Sequence, residues 1–400
     1  MGEEWGRHLK QNAGLTKTAP SNTLPNYNKR FGVAMETMFS AVMNFQLTQV
    51  IMIIVGLVLI WLAIAKKYEP ALLLPIGFGT ILTNIPLSAA IGEHGPLTVL
   101  FRAGIDTELF PLLIFIAIGA MIDFTPLLKN PFMLLFGAAA QFGIFVTIIL
   151  AATFGFDIKE AASIGIIGAA DGPTSIYVAN RFAPNLLGPI SVAAYSYMAL
   201  VPIIQPPVIR ALTTKKERMI RMEYHSGDVS RTLKIIFPIA ITLVAGIFVP
   251  ASLALIGFLM FGNLLRECGV LDSLSKSAQN ELGNLVTILL GITIASKMQG
   301  DLFLTKSTLF ILFLGLIAFI FDTAGGVLFA KLMNLVRKDK VNPMIGACGI
   351  SAFPMSARVI HQMGQKEDPF NFLLMPAVSV NVGGQISSVI AGGLILSLLA

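Results

Sequence analysis

The chain has 400 residues, of which 55% are hydrophobic and only 12% charged, with 28 Lys and Arg against 22 Asp and Glu. A soluble domain carries roughly a quarter charged residues and could not hide this much apolar surface in a single core, so a water-soluble protein is excluded. The net charge of +6 sits in loops with no basic stripe interleaved with aromatics, so no nucleic-acid partner is expected.

Residues 1–44 read as a polar extension whose first 30 residues lack the apolar core of a cleavable signal. Met35, Met38, Phe39, Val42 and Met43 follow helical spacing and predict a short helix lying along a membrane surface. Gln46–Ala65 is then about twenty residues without a charge, enough to cross the roughly 30 Å hydrocarbon layer. Comparable stretches follow at Ala71–Ile91, Leu109–Ile122, Pro131–Phe154, Ala161–Asn180, Gly188–Ile209, Leu233–Val249, Ala251–Leu265, Leu282–Ser296, Thr308–Ala330, Pro343–Ile360 and Phe370–Leu399. Several are too short or too broken for plain spans. The predicted fold is an all-α polytopic membrane protein of about 10–12 hydrophobic segments.

The polar stretch from Arg210 to Lys234 carries seven Lys and Arg against three Asp and Glu. A second basic cluster, Lys331–Lys340, carries four against one. The positive-inside rule places both on the cytoplasmic side. The halves on either side of the first cluster echo each other. Ile76-Gly-Phe-Gly-Thr-Ile-Leu-Thr-Asn84 resembles Ile256-Gly-Phe-Leu-Met-Phe-Gly-Asn263, and Leu112–Met121 resembles Val286–Ala295 less clearly. Gly168-Ala-Ala-Asp-Gly-Pro-Thr-Ser175 occupies the place of Gly346-Ala-Cys-Gly-Ile-Ser351. Gly257 lies 180 residues after Gly77, and Gly346 lies 178 after Gly168. The expected organisation is an extension (1–44), a first transmembrane helix (45–69), a first repeat (70–210), a basic cytoplasmic loop (211–231), a linking transmembrane helix (232–250) and a second repeat (251–400). If the segment holding Asp171 only dips into the membrane, the repeats are inverted, with broken helices meeting near the midplane. If all segments span, they are parallel. The inverted arrangement is the expectation.

Asp171 is the most informative residue. It lies inside an apolar segment, where an ionised carboxylate costs several kcal/mol without partners. Gly172 and Pro173 follow and should break the helix, freeing carbonyls at depth. A carboxylate beside free carbonyls suits a small hard cation. The matching break, Asn342 to Pro354, holds no acid but offers Asn342 and Ser351 oxygens and flexible glycines such as Gly346. Arg358, seven residues beyond Ser351, needs an anion if buried, or snorkels to the interface near a helix end. Tyr197 is either a working hydroxyl or an aromatic-belt residue. Asn381-Val-Gly-Gly384 is a further polar break in the last segment. Thr83, Asn84, Asp123 and Asp322 are weaker candidates, the two acids being read as helix-end residues. Cys268 and Cys348 lack CxxC spacing and the four histidines are scattered, so neither a disulfide framework nor a zinc site is expected. No Walker loop or hydrolase signature is present, so energy must come from an ion gradient or from a partner's reaction.

The run Gly165-Ile-Ile-Gly-Ala-Ala-Asp-Gly-Pro-Thr-Ser-Ile176, with Tyr195-Ser-Tyr-Met-Ala-Leu-Val-Pro202 and Gln205-Pro-Pro207, resembles the β subunit of the sodium-pumping biotin-dependent decarboxylases, which act on oxaloacetate, methylmalonyl-CoA or glutaconyl-CoA. The resemblance runs from about residue 46 to the end. It implies a multi-pass subunit of the bacterial inner membrane that removes CO2 from carboxybiotin and exports sodium while taking up a proton. It further implies a biotin carrier, a carboxyltransferase α subunit, a small γ or δ membrane subunit and a trimeric assembly. By motif, the family's essential aspartate falls on Asp171 and its functional tyrosine on Tyr197. Its Asn, Gly, Ser and Arg fall on Asn342, Gly346, Ser351 and Arg358. Sodium ligation would fall to Asp171, Asn342, Gly346, Ser351 and Asn381. Arg358 and Ser351 would meet carboxybiotin, and Tyr197 would help deliver the proton. The rival expectation is a secondary transporter for sodium and protons or an organic anion, without chemistry of its own.

Overall fold

The computed structural model describes residues 44–222 and 228–400. The predicted surface helix at Met35–Met43 and most of the 1–44 extension lie outside those residues. Leu47–Ala400 forms one compact unit, and it contains helices but no strand among the described residues.

The first half runs through α1 (Leu47–Ala65), α2 (Pro70–Asn84), α3 (Pro96–Gly104), α4 (Leu109–Met121), α5 (Leu134–Ala140), α6 (Phe142–Thr153), α7 (Ile158–Gly165), α8 (Gly172–Phe182), α9 (Leu187–Ala199) and α10 (Val201–Leu212). The second half holds α11 (Arg231–Phe248), α12 (Leu253–Glu267), α13 (Gly283–Ile294), α14 (Lys306–Val336), α15 (Met355–Glu367) and α16 (Leu374–Leu399). Among the described residues, five helices are long and apolar enough to cross a membrane: α1, the α5–α6 stretch counted from Pro131, α11, α14 and α16. The pairs α3–α4 and α9–α10, bent by 65° and 69°, raise the number to seven if each is one span.

The apolar stretches of the sequence are helical, but several are shorter or more broken than a span. Ala71–Ile91 yields only the 15-residue α2. The reason is local: Pro86 forces Ile85 into extended backbone (φ −73°, ψ 128°), which ends the helix at Asn84. Ala161–Asn180 is interrupted between α7 and α8, and Pro343–Ile360 is a 3-10 turn (Pro343–Gly349), a break, and then α15.

The two halves grip each other by reciprocal contacts. Helix α2 packs against α13, and α12 packs against α4. Where α2 ends, Asn84 donates from Nδ2 to Met298 O (2.7 Å) and accepts from Gly300 N–H (2.8 Å). One turn before α12 ends, Asn263 donates from Nδ2 to Ile122 O (3.0 Å), just past α4. Each asparagine thus satisfies carbonyls left open at the end of a helix in the other half. The α4–α12 crossing is close: a Cβ on Gly119 would stand 1.8 Å from Leu259 O, and one on Gly262 2.0 Å from Ile116 O.

The two basic clusters meet at one end of the molecule. Lys331, on α14, reaches Glu217 at 3.2 Å, while Arg218 pairs with Glu367 at 2.7 Å and Arg221 with Asp368 at 2.6 Å. A common side is what the positive-inside rule requires of them.

Candidate functional site

The site is built where helix geometry fails. Helix α7 runs into a 3-10 turn, Ile166–Ala169, and Ala170 then takes a left-handed backbone (φ 51°). Asp171 follows in extended geometry and starts α8 as its N-cap, accepting from Thr174 N–H at 3.1 Å through Oδ1. Pro173 sits in the first turn, where its missing N–H costs nothing. The carboxylate therefore stands at the positive end of a helix dipole while remaining buried. Ser175 Oγ returns a bond to Asp171 O at 2.8 Å, closing the turn.

The second carboxylate oxygen belongs to the other half of the chain. Asp171 Oδ2 accepts from Ser388 Oγ at 2.8 Å and from Ser351 Oγ at 3.3 Å, and the two hydroxyls lie 2.9 Å apart. Ser351 follows the 3-10 turn Pro343–Gly349, and its N–H donates to Ala169 O at 2.8 Å, so the two breaks are joined main chain to main chain. Helix α16 lines the other side with Asn381, Gln385 and Ser388, spaced about one turn apart. Asn381 Nδ2 donates to Ile350 O (2.7 Å) and Cys348 O (3.2 Å), and Gln385 Nε2 to Ser351 O. Asn381 Oδ1 and Gln385 Oε1 are buried without a hydrogen-bond partner.

A cavity of about 100 Å³ opens beside these groups, lined by Asp171, Ser351, Gln385, Pro173, Met198 and Phe353 among others. The space admits a small ion or a few waters. The donors are hard oxygens around a single carboxylate, which suits a small alkali cation. No group of three His, Cys, Asp or Glu capable of holding a metal occurs among the described residues.

Of the residues singled out in the sequence, Asp171, Ser351 and Asn381 are brought together. Asn342 is not: its Nδ2 donates to Arg218 O and Ile220 O, both at 2.8 Å, and its Oδ1 accepts from Met344 N–H at 3.1 Å. Gly346 faces α14, where a Cβ would meet Gly326 O at 2.0 Å. Tyr197 is half-buried and donates to Leu312 O. Arg358 is exposed on α15. Asp123 fits its helix-end reading, accepting from Thr125 N–H at 2.8 Å.

Three residues escaped the sequence reading, and a fourth was named but misplaced. Ser388 and Gln385 form a polar stripe with Asn381, a periodicity visible in an otherwise apolar segment. Tyr195 is buried against the Asp171 break, where a Cβ on Gly172 would stand 2.1 Å from its Cε1, and its hydroxyl has no partner. Asp322, read as a helix-end residue, lies instead in the middle of the 31-residue α14 and is fully buried. Its Oδ1 accepts from Ile144 N–H at 3.2 Å where α5 gives way to α6. Its Oδ2 has no partner and would be 2.3 Å from a Cβ on Gly168.

A model of the Na+-transporting oxaloacetate decarboxylase beta subunit family matches residues 48–399. The methylmalonyl-CoA decarboxylase subunit beta of Veillonella parvula is 51% identical over 372 residues, covering 92% of this chain and 99% of that protein. The glutaconyl-CoA decarboxylase subunit beta of Acidaminococcus fermentans is 50% identical, with 87% and 92% covered. Oxaloacetate decarboxylase beta chain 2 of Salmonella typhi is 47% identical, with 87% and 94% covered.

Proposed function

Since the chain belongs to the family of Na+-transporting oxaloacetate decarboxylase β subunits, we propose that it is the membrane subunit that decarboxylates carboxybiotin on a carrier subunit and couples this to sodium export. The chemistry is simple in balance: the N–C bond of carboxybiotin breaks, CO2 leaves, and a proton takes its place on the biotin nitrogen. Moving one charge against 100 mV costs about 2.3 kcal/mol. Without a shared site for ion and carboxyl group, the free energy of decarboxylation would be lost as heat.

The observation that carries this reading is the Asp171 carboxylate, held at a helix break in one half and bonded by two serine hydroxyls from the other. Asp171, Ser351 and Ser388 would bind sodium, with Asn381 Oδ1 and Gln385 Oε1 as neutral ligands after small rotations. Arg358, exposed and without an ion pair among the described residues, would meet the incoming carboxylate. Tyr197 would pass the proton after a change of partner, with Tyr195 supporting the break. Asn342 and Gly346 would hold the second break against Arg218, Ile220 and α14.

The repeats belong to the same proposal. Two inverted copies, 70–210 and 251–400, would let one half rock against the other around a fixed site. The reciprocal capping by Asn84 and Asn263 supports a duplication. A bacterial inner-membrane location follows from sodium export, and a carboxyltransferase α subunit, a small γ or δ subunit and a trimeric assembly from the resemblance. The test is sodium-dependent decarboxylation of free carboxybiotin by the protein reconstituted in vesicles. Asp171→Asn should abolish it. Full coupled activity in that variant would remove the aspartate from the mechanism.

A further inference from the structure

Where the two basic clusters meet, a cleft of about 680 Å³ opens between the short helix Lys215–Arg218 and the last turns of α14. Its wall and its rim differ in chemistry. Leu328, Leu332 and Leu335 form the wall at i, i+4 and i+7 on α14, all exposed. Lys216, Lys331 and Lys340 form the rim. Among the described residues, the one acid lining the cleft, Glu217, is already engaged by Lys331 at 3.2 Å and by Thr214 N–H at 2.7 Å. Three lysines against one glutamate give the described lining of the cleft a charge of +2. Lys216 and Lys340 have no ion pair among the described residues.

We propose that this cleft binds one anionic phospholipid, its phosphate between Lys216 and Lys340 and its acyl chains along the leucines. The ligand must be amphiphilic, because cationic rim and apolar wall are continuous and sit at the end of a helix long enough to span. A free phosphate would use the rim and leave the leucines wet. An acidic protein segment would match the charge but not the wall, which runs down α14 towards the hydrocarbon. Basic pockets between transmembrane helices take anionic headgroups for the same reason, and the lysine stems can reach along the leucines while keeping their ammonium groups at the interface. The site is remote in kind from Asp171 and does not depend on the proposed activity.

The experiment is native mass spectrometry of the intact protein titrated with phosphatidylglycerol, or with phosphatidylcholine of the same chains. Phosphatidylglycerol should be retained selectively. Lys216→Gln with Lys340→Gln should lower its retention about tenfold or more, since each lysine near an anionic surface contributes roughly fivefold. Lys215→Gln with Lys338→Gln, exposed but outside the cleft, should leave it unchanged. Leu328→Ser with Leu332→Ser should weaken lipid retention too. Equal retention of phosphatidylcholine, or no response to the cleft lysines, overturns the proposal. So does displacement of the lipid by inorganic phosphate or by an acidic peptide at matched concentration, which would make the cleft an anion or protein dock.

Discussion

Ser388 Oγ donates to Asp171 Oδ2 at 2.8 Å across 217 residues of chain. A hydroxyl bound to a charged acceptor contributes about 1.5–3 kcal/mol, and here the same hydroxyl would also be a ligand for the transported ion. Ser388→Ala should therefore raise the sodium concentration for half-maximal decarboxylation by about tenfold or more, with a smaller effect on the maximal rate. An unchanged sodium dependence would place Ser388 outside the ion's path.

Gly172 is predicted to reject any side chain. A Cβ there would stand 2.1 Å from Tyr195 Cε1, and Tyr195 is fully enclosed. Gly172→Ala should cost about 1–3 kcal/mol of stability, read as a lower melting temperature in detergent. Tyr195→Phe, by contrast, removes a hydroxyl that has no partner and should leave melting nearly unchanged.

Asp322 accepts main-chain N–H groups where α5 gives way to α6 and presses its other oxygen against Gly168. Asp322→Leu should destabilise the protein by about 1–3 kcal/mol, because buried donors lose their acceptor. Gly168→Ala should be damaging for the opposite reason, a clash at 2.3 Å with Asp322 Oδ2. The smaller Asp322→Ala should relieve that clash in the double variant. If the two single effects simply add, Gly168 and Asp322 do not act as a pair.

Inverted repeats predict opposite sidedness for the chain beyond α2 and beyond α12. Single cysteines at Gly92 and Val270, in a background where Cys268 and Cys348 are serine, should react with an impermeant thiol reagent from opposite sides of the membrane. Labelling from one side would make the copies parallel.

Arg221 bonds Asp368 with two nitrogens, at 2.6 and 3.1 Å, and this pair, with Phe370 N–H, holds the Asp368 carboxyl below its ordinary range. A carboxyl depressed in the folded protein adds stability that is complete above the unfolded value, about 3.9, and is lost as pH falls through the lower folded value. Arg221→Gln should lower the melting temperature modestly at neutral pH and flatten its acid limb, leaving values below the folded carboxyl's range little changed.

The Asp171 break was legible in the sequence because Gly-Pro stops a helix, and a carboxylate set beside that stop in an apolar run must find partners. Ser351 and Asn381 were legible for a similar reason, each lying in a polar interruption. Ser388 and Gln385 share a helix face with Asn381, a spacing the sequence carries, but only packing shows that this face turns inward. Tyr195 and Tyr197 lie two residues apart, which on a helix points them to nearly opposite sides. Only tertiary packing says which one touches Gly172. Arg358 sits among apolar neighbours in sequence, yet α15 is amphipathic and turns that position outward. Asp322 was misplaced although Thr305 caps the start of the 31-residue α14, because an acid is costly inside an apolar span until packing supplies its partners.

The bond from Ser351 N–H to Ala169 O carries a consequence for how the machine can move. It rivets the two interrupted segments at the level of Asp171, so sliding one past the other by a helical turn would break a buried main-chain link and leave its donor and acceptor unpaired. Motions that turn about this rivet leave it whole. Gates that open above it and below it in alternation would then share one hinge pin.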